Sequence, residues 1–218
     1  MTTKRSTEDR GSRRVRGLDA QQRAEQRRML VLDAALDSFA QRGYAGTSIE
    51  ALCQAAYVGN KAFYEHFSTK EACYLELLQR TTHSIVEKVT AALDQIAHDE
   101  ATGTRQIMRA LVAAVVDDPR IATVTFGQSG GISPVIERQR RANRRQSAAI
   151  VLRAWETFSD EPLDGRASTM AVAVVGGLFD LLSDTLDRTS YAPTADDVDV
   201  LVAQMSDFVL TVRAGMRS

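Results

Sequence analysis

Several things are scarce in this sequence, and each scarcity narrows the reading. Of 218 residues only two are cysteine, Cys53 and Cys73. Two thiols make neither a disulfide framework nor a metal cluster, and each reads first as a small buried residue, with a redox role left open. Proline occurs only 4 times. Long proline-free stretches rich in Ala, Leu, Arg and Gln favour an all-α chain. The histidines are His66, His83 and His98; no metal-ligand spacing joins them. The longest apolar run, Met170–Phe179, has ten residues, whereas a membrane span needs roughly 20. The N-terminus is polar and carries no apolar signal core, so a cytoplasmic chain with no membrane partner is expected. No nucleophile–base pair, paired carboxylates, metal set or phosphate loop is legible, so neither an enzyme nor a cofactor is expected.

Net charge is scarce too, at −1, but its distribution is uneven. Residues 1–28 carry nine Lys or Arg against four acids, a net of +5, on an otherwise acidic body. Such a chain touches phosphate with one end only. Residues 1–21 lack apolar periodicity and read as a disordered basic tail. The tail is either merely solvated or an arm that follows DNA.

What is present is helical periodicity. Met29, Leu32, Leu36 and Phe39 recur at helix spacing from Gln22, and Gly43 after Arg42 reads as a stop. Thr47-Ser48-Ile49-Glu50 matches a capping box for a short helix to Ala56. Tyr57-Val58-Gly59 breaks it, and a second short helix spans 60–67. Ser68-Thr69-Lys70-Glu71 matches another box, opening a long helix to about Ala97. Helices are also expected over about 105–116, 120–128, 133–158, 166–188 and 195–214. The fold class is therefore all-α, of about nine helices. Residues 22–70 form a three-helix helix-turn-helix domain, and 71–218 a larger helical domain.

The second short helix is the expected reader of the DNA major groove. By period, Val58, Phe63 and Phe67 face a small core, while Asn60, Lys61, Ala62, Tyr64 and His66 face outward. An amide suits base edges; an ammonium, a phenol and an imidazole suit phosphate.

The stretches Gly43-Tyr44-Ala45-Gly46-Thr47-Ser48-Ile49-Glu50-Ala51-Leu52 and Ala56-Tyr57-Val58-Gly59-Asn60-Lys61-Ala62-Phe63-Tyr64-Glu65-His66-Phe67-Ser68-Thr69-Lys70-Glu71-Ala72 resemble the signature of the TetR (tetracycline repressor) family. The Phe-Tyr-x-His-Phe-x-x-Lys-Glu core is its most specific part. The resemblance covers about residues 24–78. It implies a homodimer built on the last two helices, a C-terminal pocket in which a small molecule loosens DNA binding, and a palindromic double-stranded operator. By position it implies DNA contacts from Ser48, Asn60, Lys61, Ala62, Tyr64, His66 and Lys70, with Tyr64 and Lys70 toward phosphate. Departures are Tyr57 where glycine is common, Gly59 for a Ser cap, Ala62 for Thr, and Cys73 for an aliphatic residue. A left-handed Tyr57 costs roughly 1–2 kcal/mol, so a differently shaped turn is an alternative.

In the C-terminal part, Met108, Leu111, Phe126, Trp155 and Phe179 are the large apolar candidates for a pocket, with helix-core packing as the plain alternative. Such a pocket suits a hydrophobic effector. Arg138–Arg145 reads either as a solvated face or as an anion site. Met170–Phe179 is apolar all round, so that helix must be buried on two sides. Gly176 and Gly177 on it, with Val198, Leu201, Val202, Met205 and Val209 on the last helix, are the expected dimer interface. The functional expectation is a repressor released from its operator by a ligand; the alternative is an architectural DNA binder of the same fold with no inducer.

Overall fold

The computed structural model describes residues 20–126 and 133–216. The basic tail, apart from its last residues, and the break expected at Gly127–Gly131 lie outside the described residues. Among those described there are nine helices and no strand. They are α1 (Ala20–Arg42), α2 (Ile49–Ala55), α3 (Asn60–His66), α4 (Lys70–Asp94), α5 (Glu100–Val116), α6 (Pro119–Phe126), α7 (Pro134–Thr157), α8 (Gly165–Arg188) and α9 (Ala195–Met216).

The ends follow local chemistry, with small corrections. Gly43 stops α1 at φ +69°, a conformation that costs glycine nothing. The cap of α2 is Ser48, not Thr47: its Oγ accepts from the Ala51 amide at 3.1 Å. Thr47 is buried, and its hydroxyl reaches the carbonyls of Gly43 and Ser38. The cap of α4 shifts likewise from Ser68 to Thr69, which accepts from the Ala72 amide at 3.0 Å. In each case the neighbouring hydroxyl competes for the same amides, and tertiary packing decides between them. Helix α5 begins at Glu100, earlier than expected, because Asp99 caps it through the Thr102 amide at 2.8 Å. Ser133 and Pro134 open α7 as expected. Thr194 and Asp197 bond reciprocally at the head of α9.

Buried residues form two clusters. The smaller joins α1, α2 and α3 to the first turns of α4, through Leu32, Phe39, Leu52, Phe63, Phe67 and Leu77. It also takes in Val124 of α6 and Ile136 of α7. The larger is built from α4, α5, α7, α8 and α9. Helix α4 belongs to both, and at 1.5 Å per residue its 25 residues span ~37 Å.

Side-chain pairs set the helix directions. Gln79 meets Gln139, Thr82 meets Asn143 and Asp94 meets Arg153, at sequence separations of 60, 61 and 59. A constant separation means that α4 and α7 run parallel. Helices α8 and α9 run antiparallel, since Arg188 pairs with Asp197 while Phe208 lies against Gly177. By length and composition α8 would pass for a membrane span. Here one face of it is buried against α7 and α9.

Candidate DNA-reading face and effector cavity

The candidate reading face is α3 with Ser48, the residue before α2. Phe63 and Phe67 are buried, and Val58 is half-buried against the same core. That fixes the register, so Asn60, Lys61 and Tyr64 stand exposed on the opposite side, Tyr64 at 56%. Ser48 is exposed at the same end of the molecule. Ala62 is half-buried. His66 departs from expectation: it is half-buried beside the Phe67 ring, and its Nε2 is buried with no hydrogen-bond partner among the described residues. That nitrogen does not face outward.

The turn before α3 keeps the left-handed shape. Tyr57 sits at φ +54° with its side chain 97% exposed, so the turn absorbs the strain instead of reshaping. Its backbone is tied by Val58 N–H to the Cys53 carbonyl at 3.0 Å.

Lys70 is held inside the chain. Its Nζ donates to the carbonyls of Tyr44 and Thr47, each at 2.8 Å, and lies 4.2 Å from the Tyr44 ring centroid. Two of its three N–H donors are thus used to clamp the head of α4 to the entrance of α2, leaving one for any outside partner. Tyr44, Phe39 and Tyr74 form an aromatic trio with centroids 5.2–5.8 Å apart. The Tyr74 hydroxyl donates to the Val124 carbonyl at 3.0 Å.

Behind this unit lies a cavity of about 280 Å³ between α4, α5, α7 and α8. All five sequence candidates, Met108, Leu111, Phe126, Trp155 and Phe179, line it. Phe126 and Phe179 form one wall, their ring centroids 5.2 Å apart. Because α4 and α7 are parallel, the cavity has a defined polarity. Its far end is apolar, with Val89, Trp155 and Phe158; the end nearest the DNA-reading unit carries Thr82, Arg140, Asn143 and Arg144. The arginine cluster is therefore split. Arg138, Arg141 and Arg145 are exposed and stand outside the wall of this cavity, while Arg140 and the more exposed Arg144 belong to it. The signal for this was the i, i+4 spacing of 140 and 144 with Asn143 and Ser147, which puts them on one helical face.

The dimer residues need correction. Leu201, Val202, Met205 and Val209 are buried within their own chain, the first three at 1% or less, and belong to the larger cluster. Val198 is half-buried against the same cluster. A Cβ on Gly177 would come within 2.8 Å of Phe208, so that glycine admits a ring of its own chain, not a partner helix. Gly176 faces open space, next to exposed Val172 and Ala173.

Both thiols are buried. Burial pushes the Cys73 thiol up to about 12 and raises that of Cys53, which leaves neither poised as a reactive thiolate. His83 lies 3.3 Å from Glu87 on the surface, and no group of three metal-ligating side chains occurs among the described residues.

A helix-turn-helix with an exposed reading face, joined by one helix to an all-α body with an apolar cavity, defines a one-component DNA-binding regulator. Residues 31–77 match the family of bacterial regulatory proteins of the tetR type. The chain therefore carries the DNA-binding domain of the TetR family of transcriptional regulators. It is 36% identical over 93 residues to the HTH-type transcriptional activator FasR of Mycolicibacterium smegmatis, a match covering 43% of this chain and 40% of that protein. It is 24% identical over 189 residues to the HTH-type transcriptional regulator BetI of Burkholderia mallei, covering 82% and 95% of the two chains. The fold resembles that of the transcriptional regulator FadR from Bacillus subtilis, solved in complex with stearoyl-CoA, with a TM-score of 0.69, 16% identity, and coverage of 83% and 96%.

Proposed function

We propose that the chain is a homodimeric repressor that binds a palindromic operator through α3 and leaves it when a hydrophobic small molecule enters the cavity. The observation that carries this reading is the position of α4. Its first turn is clamped to the reader through Lys70, and Leu78, Ile85 and Val89 further along it line the cavity. An architectural binder with no inducer has no use for such a cavity, so the effector reading is favoured. Solved FadR with stearoyl-CoA is a fold relative that holds an acyl ligand.

In this reading Asn60 and Lys61 reach base edges or phosphate, while Ser48 and Tyr64 hold the backbone. The spare donor of Lys70 adds to the phosphate side. Ala62 allows close approach. The dimer forms on the outward face of α8 and α9, where Val172 is 45% and Val200 53% exposed, around the open surface of Gly176. Residues 22–70 with the first turns of α4 form the DNA-binding unit, and the rest senses ligand and dimerises.

The test uses duplexes selected in vitro from a random pool by the full-length protein. Lys61→Ala and Tyr64→Phe are expected to weaken gel-shift affinity at least 5-fold with the dimer intact. Each lost phosphate contact flattens the log–log salt slope by about 0.9. Unchanged affinity in both variants sinks the assignment of α3 as reader. Recovery of many dispersed, unrelated sequences would instead favour the architectural binder.

A further inference from the structure

The wall of the cavity holds an unusual set of polar atoms. Thr125 Oγ1, Arg140 Nε and Trp155 Nε1 are each buried with no hydrogen-bond partner among the described residues, and all three residues line this one cavity. Each can donate a hydrogen bond, and buried donors left unmade are costly. Asn143 is different: it gives its amide to Thr82 at 2.9 Å and accepts from Gln139 at 2.8 Å. None of the three donors meets an acceptor in that wall. Asp180 also lines it, but on the exposed side of α8, where water screens its charge.

Arg140 is the pivot. Besides its idle Nε, it holds the Tyr74 hydroxyl only through a long contact, Nη2 to Oη at 3.5 Å. At that distance the bond is weak and easily surrendered. Tyr74 is fully buried in the DNA-reading unit, against Phe39 and Tyr44, and Tyr44 lies under Lys70. One turn before Arg140 on the same helix, Ile136 is buried in that unit's core. The guanidinium thus stands where cavity and reader meet.

We propose, resting on the effector reading above, that the ligand is an aliphatic chain ending in an anionic, acceptor-only head, and that Arg140 reads the head. The chain lies toward Trp155, ~22 Å along α7 from Arg140 at 1.5 Å per residue. The head takes a two-pronged bond from the guanidinium, which a carboxylate or phosphate geometry fits. It does so by drawing Arg140 from Tyr74 and shifting the first turns of α7, which hold Ile136 in the reader's core. The ligand thereby binds the DNA-released arrangement better than the DNA-bound one, the condition for any shift between the two. A free carboxylate and a coenzyme A thioester share this chemistry: one presents its own charge, the other its phosphates.

The sole tryptophan, Trp155, is a built-in reporter of the apolar end. Full-length protein is titrated with dodecanoate, dodecanoyl-coenzyme A and the uncharged dodecanol, reading Trp155 emission and, separately, affinity for a selected duplex. The charged ligands are expected to bind about 10-fold more tightly than dodecanol, in line with a charge-assisted hydrogen bond. Arg140→Gln should abolish that preference while leaving dodecanol binding intact, which also shows that the variant is folded. Arg140→Lys should keep part of the preference. Tyr74→Phe should bind the charged ligands as the wild type does, yet lose most of a roughly 10-fold ligand effect on DNA affinity. Dodecanoate active alone assigns the head to a carboxylate; dodecanoyl-coenzyme A active alone assigns it to the thioester. If charged and neutral ligands bind equally, or Arg140→Gln keeps the preference, the proposal fails while the effector cavity stands. If Tyr74→Phe keeps the full ligand effect, the link to the reader is wrong. If none of the three perturbs Trp155, the proposal falls together with the reading of this cavity as a site for hydrophobic effectors.

Discussion

Single residues hold two kinds of stored cost here. Tyr57 lies at φ +54° with almost no contacts to compensate. Replacing it by glycine removes a left-handed penalty of roughly 1–2 kcal/mol and returns part of it as chain entropy in the unfolded state. Tyr57→Gly is therefore expected to stabilise the protein by about 1 kcal/mol in a urea melt. Cys73 stores its cost in protonation. Its thiol, ordinarily near 9, is pushed by burial up to about 12. Above pH 9 the unfolded chain loses this proton while the folded chain keeps it, so stability falls as pH rises from about 9 toward 12. Cys73→Ala should flatten that alkaline loss in pH-dependent melts. In native protein at neutral pH, both cysteines should resist a thiol-specific disulfide reagent until the chain unfolds.

At the scale of elements, the short helices α2 and α3 have seven residues each and cannot persist alone. They are held by Phe63, Phe67 and Leu52 in the core and by the Lys70 clamp across to Tyr44 and Thr47. Lys70→Ala removes two charge-assisted bonds and a cation–π contact, so it should cost about 2 kcal/mol. It should also weaken DNA binding more than Lys70→Arg does, which a paired measurement of melting and gel shift will show. The reading helix was legible because its own period separates Phe63 and Phe67 from Asn60, Lys61 and Tyr64. At α2 and α4 the cap falls one residue later than the box pattern predicts. Thr47-Ser48 and Ser68-Thr69 both offer adjacent hydroxyls, and only the surrounding packing selects one.

At the scale of the whole molecule, the dimer is where the structure changes the assignment most. Met205 is fully buried in its own chain. Met205→Ala is expected to cost about 2–5 kcal/mol by leaving a cavity, yet the protein should still sediment as a dimer. Gly176→Arg, on the open face of α8, should do the reverse: it should leave each protomer's core intact, shift sedimentation toward the monomer, and lower DNA affinity more than 10-fold by uncoupling the two readers. A dimer that survives both Gly176→Arg and Val172→Asp would move the interface elsewhere.

The sequence by itself determined the nine helices to within a few residues, the helix-turn-helix with Asn60, Lys61 and Tyr64 outward, and the large apolar residues that gather around one cavity. These follow from periodicity, caps and a local signature, all of which act within a turn or two. Only the tertiary structure decided which of two apolar stripes on α8 and α9 meets the protein's own body. It alone turned Lys70 inward and divided the arginines of α7 between water and the cavity wall. A helical period says which side chains share a face, but what that face meets is set by helices far away in the chain, as when α4 and α7 align in parallel about 60 residues apart.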